Sequence, residues 1–108
     1  MERGTVSFDW DDGNREKCQK HGLSIVEIEY VLTHGETFIV PDVKNFEDEP
    51  RFIAIGRSPG GRYVFVVFTP RRRNDRTVWR PISARYMHKK EIARYEKEIS
   101  GAQDRRRG

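Results

Sequence analysis

The sequence predicts an α+β domain with two short helices near its start, a small antiparallel β-sheet and a basic helix at its end. Three observations carry that reading. Residues 63–69, YVFVVFT, form an unbroken β-branched and aromatic run, which suits a well-buried strand. Ser24 and Glu27 stand three apart at the head of an apolar-periodic stretch, the signature of a capping box. Past Arg85 the apolar residues Ile92, Tyr95 and Ile99 recur at helical spacing among Lys89, Lys90, Arg94 and Lys97.

Residues 6–10 alternate Val, Phe and Trp with Ser and Asp, the pattern of a short strand with one buried face. Asp11-Asp12-Gly13 then turns the chain, and Asp12 is expected to cap a helix running to about Lys20, closed by His21-Gly22. In the second helix Leu23 staples against Ile28, Ile25, Ile28 and Leu32 line one face, and Gly35 stops it. A short strand over 37–40 ends at Pro41, and DVKNFEDEP (42–50) reads as a loop.

A strand is expected from Arg51 to Ile55, and Ser58-Pro59-Gly60-Gly61 is a turn. PRRRND (70–75) reads as the tip of a hairpin between the 63–69 strand and a return strand over 77–84. Pro81 cannot donate to a ladder, so it marks an edge strand or a bulge. Gly101 is expected to end the last helix. The chain then divides into one domain over 1–100 and a disordered basic tail over 101–108, GAQDRRRG.

The charge is unevenly spread. Residues 1–50 hold 5 Lys and Arg against 12 Asp and Glu, whereas residues 51–108 hold 16 against 5. Of those 16 cations 13 are Arg, whose planar fork grips phosphate or carboxylate through paired bonds. A basic half of this kind favours a polyanion or an acidic protein partner. The single Cys18 excludes an internal disulfide and a cysteine-based zinc site. His21, His34 and His88 lack metal-site spacing, and GRSPGGR (56–62) lacks the GK[ST] of a phosphate loop, so neither metal nor cofactor is expected. No long apolar run or leader is present, so the expected location is the cytoplasm, away from membrane.

What remains is an arginine constellation. Arg71, Arg72, Arg73 and Arg76 mass at the hairpin tip, Arg80 and Arg85 follow on the return arm, and Lys89 stands four residues beyond Arg85. On an extended chain Arg71 and Arg73 point the same way, as do Arg76 and Arg80. Metal-free RNA cleavage needs a positioned 2′-hydroxyl, donors for the charge growing on the phosphoryl oxygens, and a proton carrier. Arginines supply the second. His21, His88, Tyr86 and Lys89 are candidates for the third, although a histidine at a helix end also serves as a simple cap. Tyr63, Phe65, Phe68 and Trp79 are either stacking platforms for bases or core.

The ordered motifs FDWDDGN (8–14), KHGLS (20–24), EPRF (49–52), FVVFTPR (65–71) and ISAR (82–85), with Glu27, Gly56, Gly61-Arg62, Glu91 and Tyr95, closely resemble the BrnT family across roughly residues 7–96. These are toxins of bacterial type II toxin–antitoxin modules, with a fold related to RelE-like ribonucleases. The resemblance implies a small cytoplasmic endoribonuclease that halts translation without a metal. It also implies a cognate antitoxin, encoded beside it, that joins it in a hetero-oligomer and alone contacts DNA. By the same resemblance Arg71, Arg85 and His21 are the catalytic candidates, with Arg51 and Arg80 holding RNA; Arg72, Arg73, Arg76 and Lys89 join the RNA-binding set on their charge and placement alone. Pro81 departs from the family, which has an aliphatic strand residue there, and PRRRND is more basic than most. Two other function classes fit the composition: a noncatalytic nucleic-acid-binding module, and a structural or regulatory partner whose basic face holds an acidic helix.

Overall fold

The computed structural model describes residues 6–45 and 49–107, with the backbone alone for 45 and 101–107. Residues 46–48 of the expected 42–50 loop lie outside the described residues. The elements are β1 (Ser7–Phe8), α1 (Asp12–Gln19), α2 (Ile25–Thr33), β2 (Phe38–Pro41), β3 (Phe52–Arg57), β4 (Tyr63–Arg73), β5 (Arg76–Tyr86) and α3 (Lys89–Arg107), with one 3-10 turn at Val43–Asn45. This is the α+β order read from the sequence. The sheet runs β1-β5-β4-β3-β2. Its last four strands pair antiparallel, but β1 lies parallel to β5, so the sheet is mixed where a purely antiparallel one was expected. Two residues at the very start of the domain carry no hydrophobic period long enough to reveal a partner or a direction.

One face of the sheet makes the core. Val64, Val66 and Phe68 of β4 pack with Ala54, Trp79 and Ala84 of its neighbours beneath Cys18, Leu23, Ile28, Val31 and Leu32 from the helix layer. Trp79 is core, packed at a tilt against Phe68 with ring centroids 4.5 Å apart, and is therefore not a platform for bases. Burial also pushes the Cys18 thiol up to about 11, so it stays protonated near neutrality.

Both early helices are fixed by caps. Asp11, not Asp12, caps α1: its carboxylate accepts from the Asn14 N–H, and Asn14 Oδ1 accepts from the Asp11 N–H. Gly22, at φ +97°, takes the left-handed turn after α1, and its N–H donates to Gln19. Ser24 and Glu27 form the expected capping box on α2. The helix itself stops at Thr33, with His34 as its cap. At the other end of the chain α3 continues through Gly101 to Arg107, where the sequence reading stopped it. A lone helical glycine costs only about 1 kcal/mol against alanine, and Ala102 and Gln103 favour helix.

The largest departure is the hairpin. PRRRND is not a loop: β4 extends through Arg73, Arg73 pairs with Arg76, and the turn is the two residues Asn74-Asp75. Both have positive φ, 50° and 64°, which is the conformation a two-residue hairpin with matching strand twist needs. Pro70 is tolerated because β3 begins only at Phe52, opposite Phe68, so no β3 ladder pairs with β4 beyond that point. Pro81 marks a bulge rather than an edge. Val67 pairs with Ser83 and Phe68 with Pro81, so Ile82 is the extra residue, and β1 lies on the far side of β5.

Candidate active site on the outer sheet face

Alternation along β4 sends residues 64, 66 and 68 to the core and residues 63, 65, 67, 69, 71 and 73 to the other face. On β5 the bulge changes the count, so Arg85 and Ser83 face outward, and beyond Pro81 so do Arg80, Val78 and Arg76. Arg71, Arg73, Arg76 and Arg80 thus share one face. Arg80 stands opposite Thr69, which places it diagonally across from Arg71. Such diagonal neighbours are about 7–8 Å apart at the backbone, well within the reach of two arginines.

Carboxylates hold this cluster. Asp9, just past β1, pairs with Arg73 at 3.0 Å and with Arg80 at 3.6 Å, and Asp11 pairs with Arg80 at 2.8 Å. Arg76 reaches Ser7 Oγ at 3.5 Å. Arg71 pairs with Glu49 at 3.2 Å, while its Nε is buried without a hydrogen-bond partner among the described residues. The Thr69 hydroxyl donates to the Pro50 carbonyl and so fixes the segment carrying Glu49 and Arg51 beside β4. Asp11 is held below the usual carboxylate range by the Asn14 N–H and then by Arg80. Asp9, Asp11, Glu49 and Glu91, which orient the arginines of this face, come from three separate stretches of the chain. In the sequence they stand out only as members of the ordered motifs, Asp9 and Asp11 in FDWDDGN, Glu49 in EPRF and Glu91 beyond ISAR.

The other candidates lie elsewhere. Arg85 pairs with Phe65, six residues along β4 from Arg71, a backbone distance of about 20 Å. The bulge therefore brings Arg80 to Arg71 but does not bring Arg85 to Arg71, and one phosphate cannot touch both. Arg85 stacks on Phe65 at 4.5 Å and forms a two-pronged bridge to Glu91 on α3, at 2.7 and 2.8 Å. Lys89 is exposed on the first turn of that helix. Arg72 points to the opposite face from Arg71 and is exposed. His21 is exposed in the α1–α2 turn on the helix side of the sheet, next to Gly22, which packs by Tyr86. Tyr86 in turn donates to Glu27 at 2.9 Å under the Arg62 guanidinium, which ties the end of β5 to the α2 cap. Hydrogen bonding to Glu27 raises the Tyr86 phenol, so it is a donor near neutrality and no base.

The Arg85–Glu91 bridge has a measurable signature. Glu91 also accepts from the His88 N–H, and Arg85 followed by that N–H lowers its carboxyl from 4.5 to about 2. A depressed acid stabilises the fold above its unfolded value and loses that contribution as the pH falls. Stability should therefore drop from about pH 4.5 down through about pH 2, and Glu91→Gln should flatten that part of the curve. Urea unfolding of both proteins across this range checks it, and an unchanged acid limb would contradict the bridge.

Among the described residues no helix is long and apolar enough to cross a membrane. Comparison with known proteins follows the same residues. The chain matches the family model described as the ribonuclease toxin, BrnT, of type II toxin–antitoxin systems over residues 10–91, from Trp10 within the FDWDDGN motif to the glutamate that holds Arg85. No curated protein matches it. The match covers most of the chain and every arginine of the outer face, and on that ground the chain belongs to the BrnT family of type II toxin–antitoxin ribonuclease toxins.

Proposed function

We propose that this protein is a metal-independent endoribonuclease that lays the RNA backbone across the Arg71, Arg73, Arg76 and Arg80 cluster and cleaves it beside Arg71. The observation that carries the reading is the gathering of four arginines from two strands on one sheet face, all held by carboxylates or a hydroxyl. Phosphate competes for these guanidinium groups with the carboxylates that now hold them. Once it takes Arg71, Glu49 is freed next to the scissile bond and accepts the 2′-hydroxyl proton. The 2′-oxygen attacks phosphorus, the P–O5′ bond breaks, and the departing 5′-oxygen takes a proton from solvent water, leaving a 2′,3′-cyclic phosphate and a 5′-hydroxyl. Arg71 stabilises the charge that grows on the phosphoryl oxygens. Arg51 and Arg80 hold the backbone, Arg85 engages it further along, and Arg72 and Lys89 add to the surrounding positive field. His21 lies on the helix side and is not needed for this step.

In the cell such cleavage of cytoplasmic RNA halts translation. A cognate antitoxin with acidic and apolar anchors covers the basic face, forms the hetero-oligomer and supplies the DNA contacts. Charge complementarity makes that association fast and salt-sensitive. The direct test uses purified, antitoxin-free protein and a defined RNA in EDTA. Products ending in 2′,3′-cyclic phosphate and 5′-hydroxyl are expected. Binding without turnover would instead identify a nucleic-acid-binding module. A stable complex with the protein of the adjacent gene, with no RNA affinity at all, would identify a structural partner.

A further inference from the structure

Continued without interruption from Arg85 and Ser83, the alternation of β5 would turn Pro81 and Trp79 outward and Arg80 into the core. The bulge at Ile82 reverses this, burying Trp79 and bringing Arg80 to the face of Arg71. A bulge leaves local backbone groups without ladder partners, so something must hold it. Here the holder is Asn14. Its side-chain amide donates to the Pro81 carbonyl at 2.9 Å and to the Asp9 carbonyl at 2.9 Å, joining the bulge of β5 to the chain leaving β1. Its Oδ1 accepts from the Asp11 N–H at 2.7 Å, and its own N–H donates to the Asp11 carboxylate at 3.0 Å. Asn14 is itself buried, one of few polar side chains in the interior.

We infer that Asn14 is the positioning residue of the RNA-binding face: it sets the β5 bulge and the Asp9–Asp11 clamp together, and through them the direction of Arg80. This rests on the reading of the outer face as an RNA track. The chemistry is specific to asparagine. Aspartate has the same shape but no donors, and would set a carboxylate against two carbonyl oxygens. Glutamine is one methylene too long for the pocket between α1 and the bulge.

The experiment measures binding of a non-cleavable 2′-O-methyl RNA to the full chain as wild type, Asn14→Asp, Arg80→Ala and the double variant. Each single variant should weaken binding about tenfold, the loss of one charge-assisted contact. The double variant should bind no more weakly than Arg80→Ala alone, because residues acting through one another are non-additive. Asn14→Asp should also lower the salt slope by about 0.7, as for one lost contact to single-stranded phosphate, which general destabilisation would not do. If Arg80→Ala binds like wild type, the reading of the face has failed and the inference falls with it. If Arg80→Ala weakens binding but Asn14→Asp does not, or the two losses multiply, the inference alone is overturned. Should Asn14→Asp not fold, Asn14→Ser, which keeps a small polar group against the α1 cap, takes its place in the cycle. In the wild-type protein a through-hydrogen-bond NMR coupling between Asn14 Nδ2 and the Pro81 carbonyl carbon is expected, and its absence would also overturn the assignment.

Discussion

Arg71→Ala should slow single-turnover RNA cleavage about a hundredfold at saturating RNA, a loss on the order of 3 kcal/mol in transition-state stabilisation. Arg71 differs from its neighbours in three ways that concentrate the effect on it. It faces the Arg80 cluster diagonally, it is partnered by the one carboxylate on the 49–51 segment, and its Nε has already been stripped of water. A phosphate there meets donors whose reorganisation has largely been completed by folding. Glu49→Gln should give a comparable loss in rate with little change in affinity, because it removes a proton acceptor and leaves the arginine in place. Arg85→Ala should behave differently, raising KM more than it lowers kcat, since its backbone lies about 20 Å from that of Arg71 along the sheet. Arg94→Ala, exposed on α3 beside Glu98, serves as the control. Near-normal cleavage by folded Arg71→Ala would end the assignment even in a proven ribonuclease.

Phe68→Ala should cost about 3–5 kcal/mol of stability, enough to lower the melting temperature on the order of 15 °C. Phe68 is only 2% exposed and sits between the rings of Phe52 at 5.7 Å and Trp79 at 4.5 Å. These are rigid aromatic neighbours that cannot collapse into the vacated space, which sets the cost at the upper end for a core truncation. Phe68 is also the residue opposite Pro81, at the point where the register shifts. The cavity would open directly under the bulge, so amide exchange should quicken around Ile82 and Ser83 before the helix layer is affected. With total stabilities of 5–15 kcal/mol, a loss of this size approaches the whole margin of a small domain. Chemical denaturation measures it, and a change below about 1 kcal/mol would show that the aromatic stack contributes little.

Local chemistry in the sequence determined a good part of this protein. Ser24 and Glu27 are three residues apart and cap α2 by themselves, Gly22 closes α1, and the apolar run from Tyr63 makes a strand in almost any surroundings. Those elements, their order and the ordered motifs were enough for the α+β class and the family. The extent of the central hairpin was less legible, because Asn74-Asp75 lacks the glycine that usually announces a two-residue turn and two prolines suggested breaks. Which arginines share a face depends instead on contacts made across the fold. Arg80 and Arg85 are an odd number of residues apart, and a regular strand would separate them onto opposite sides. The bulge that unites them is held by Asn14, 67 residues from its partner Pro81, and the carboxylates orienting Arg71 and Arg73 lie 22 and 64 residues away. A one-residue change of register inverts every side chain beyond it, and contacts that fix register across such separations leave no periodic trace in the local sequence.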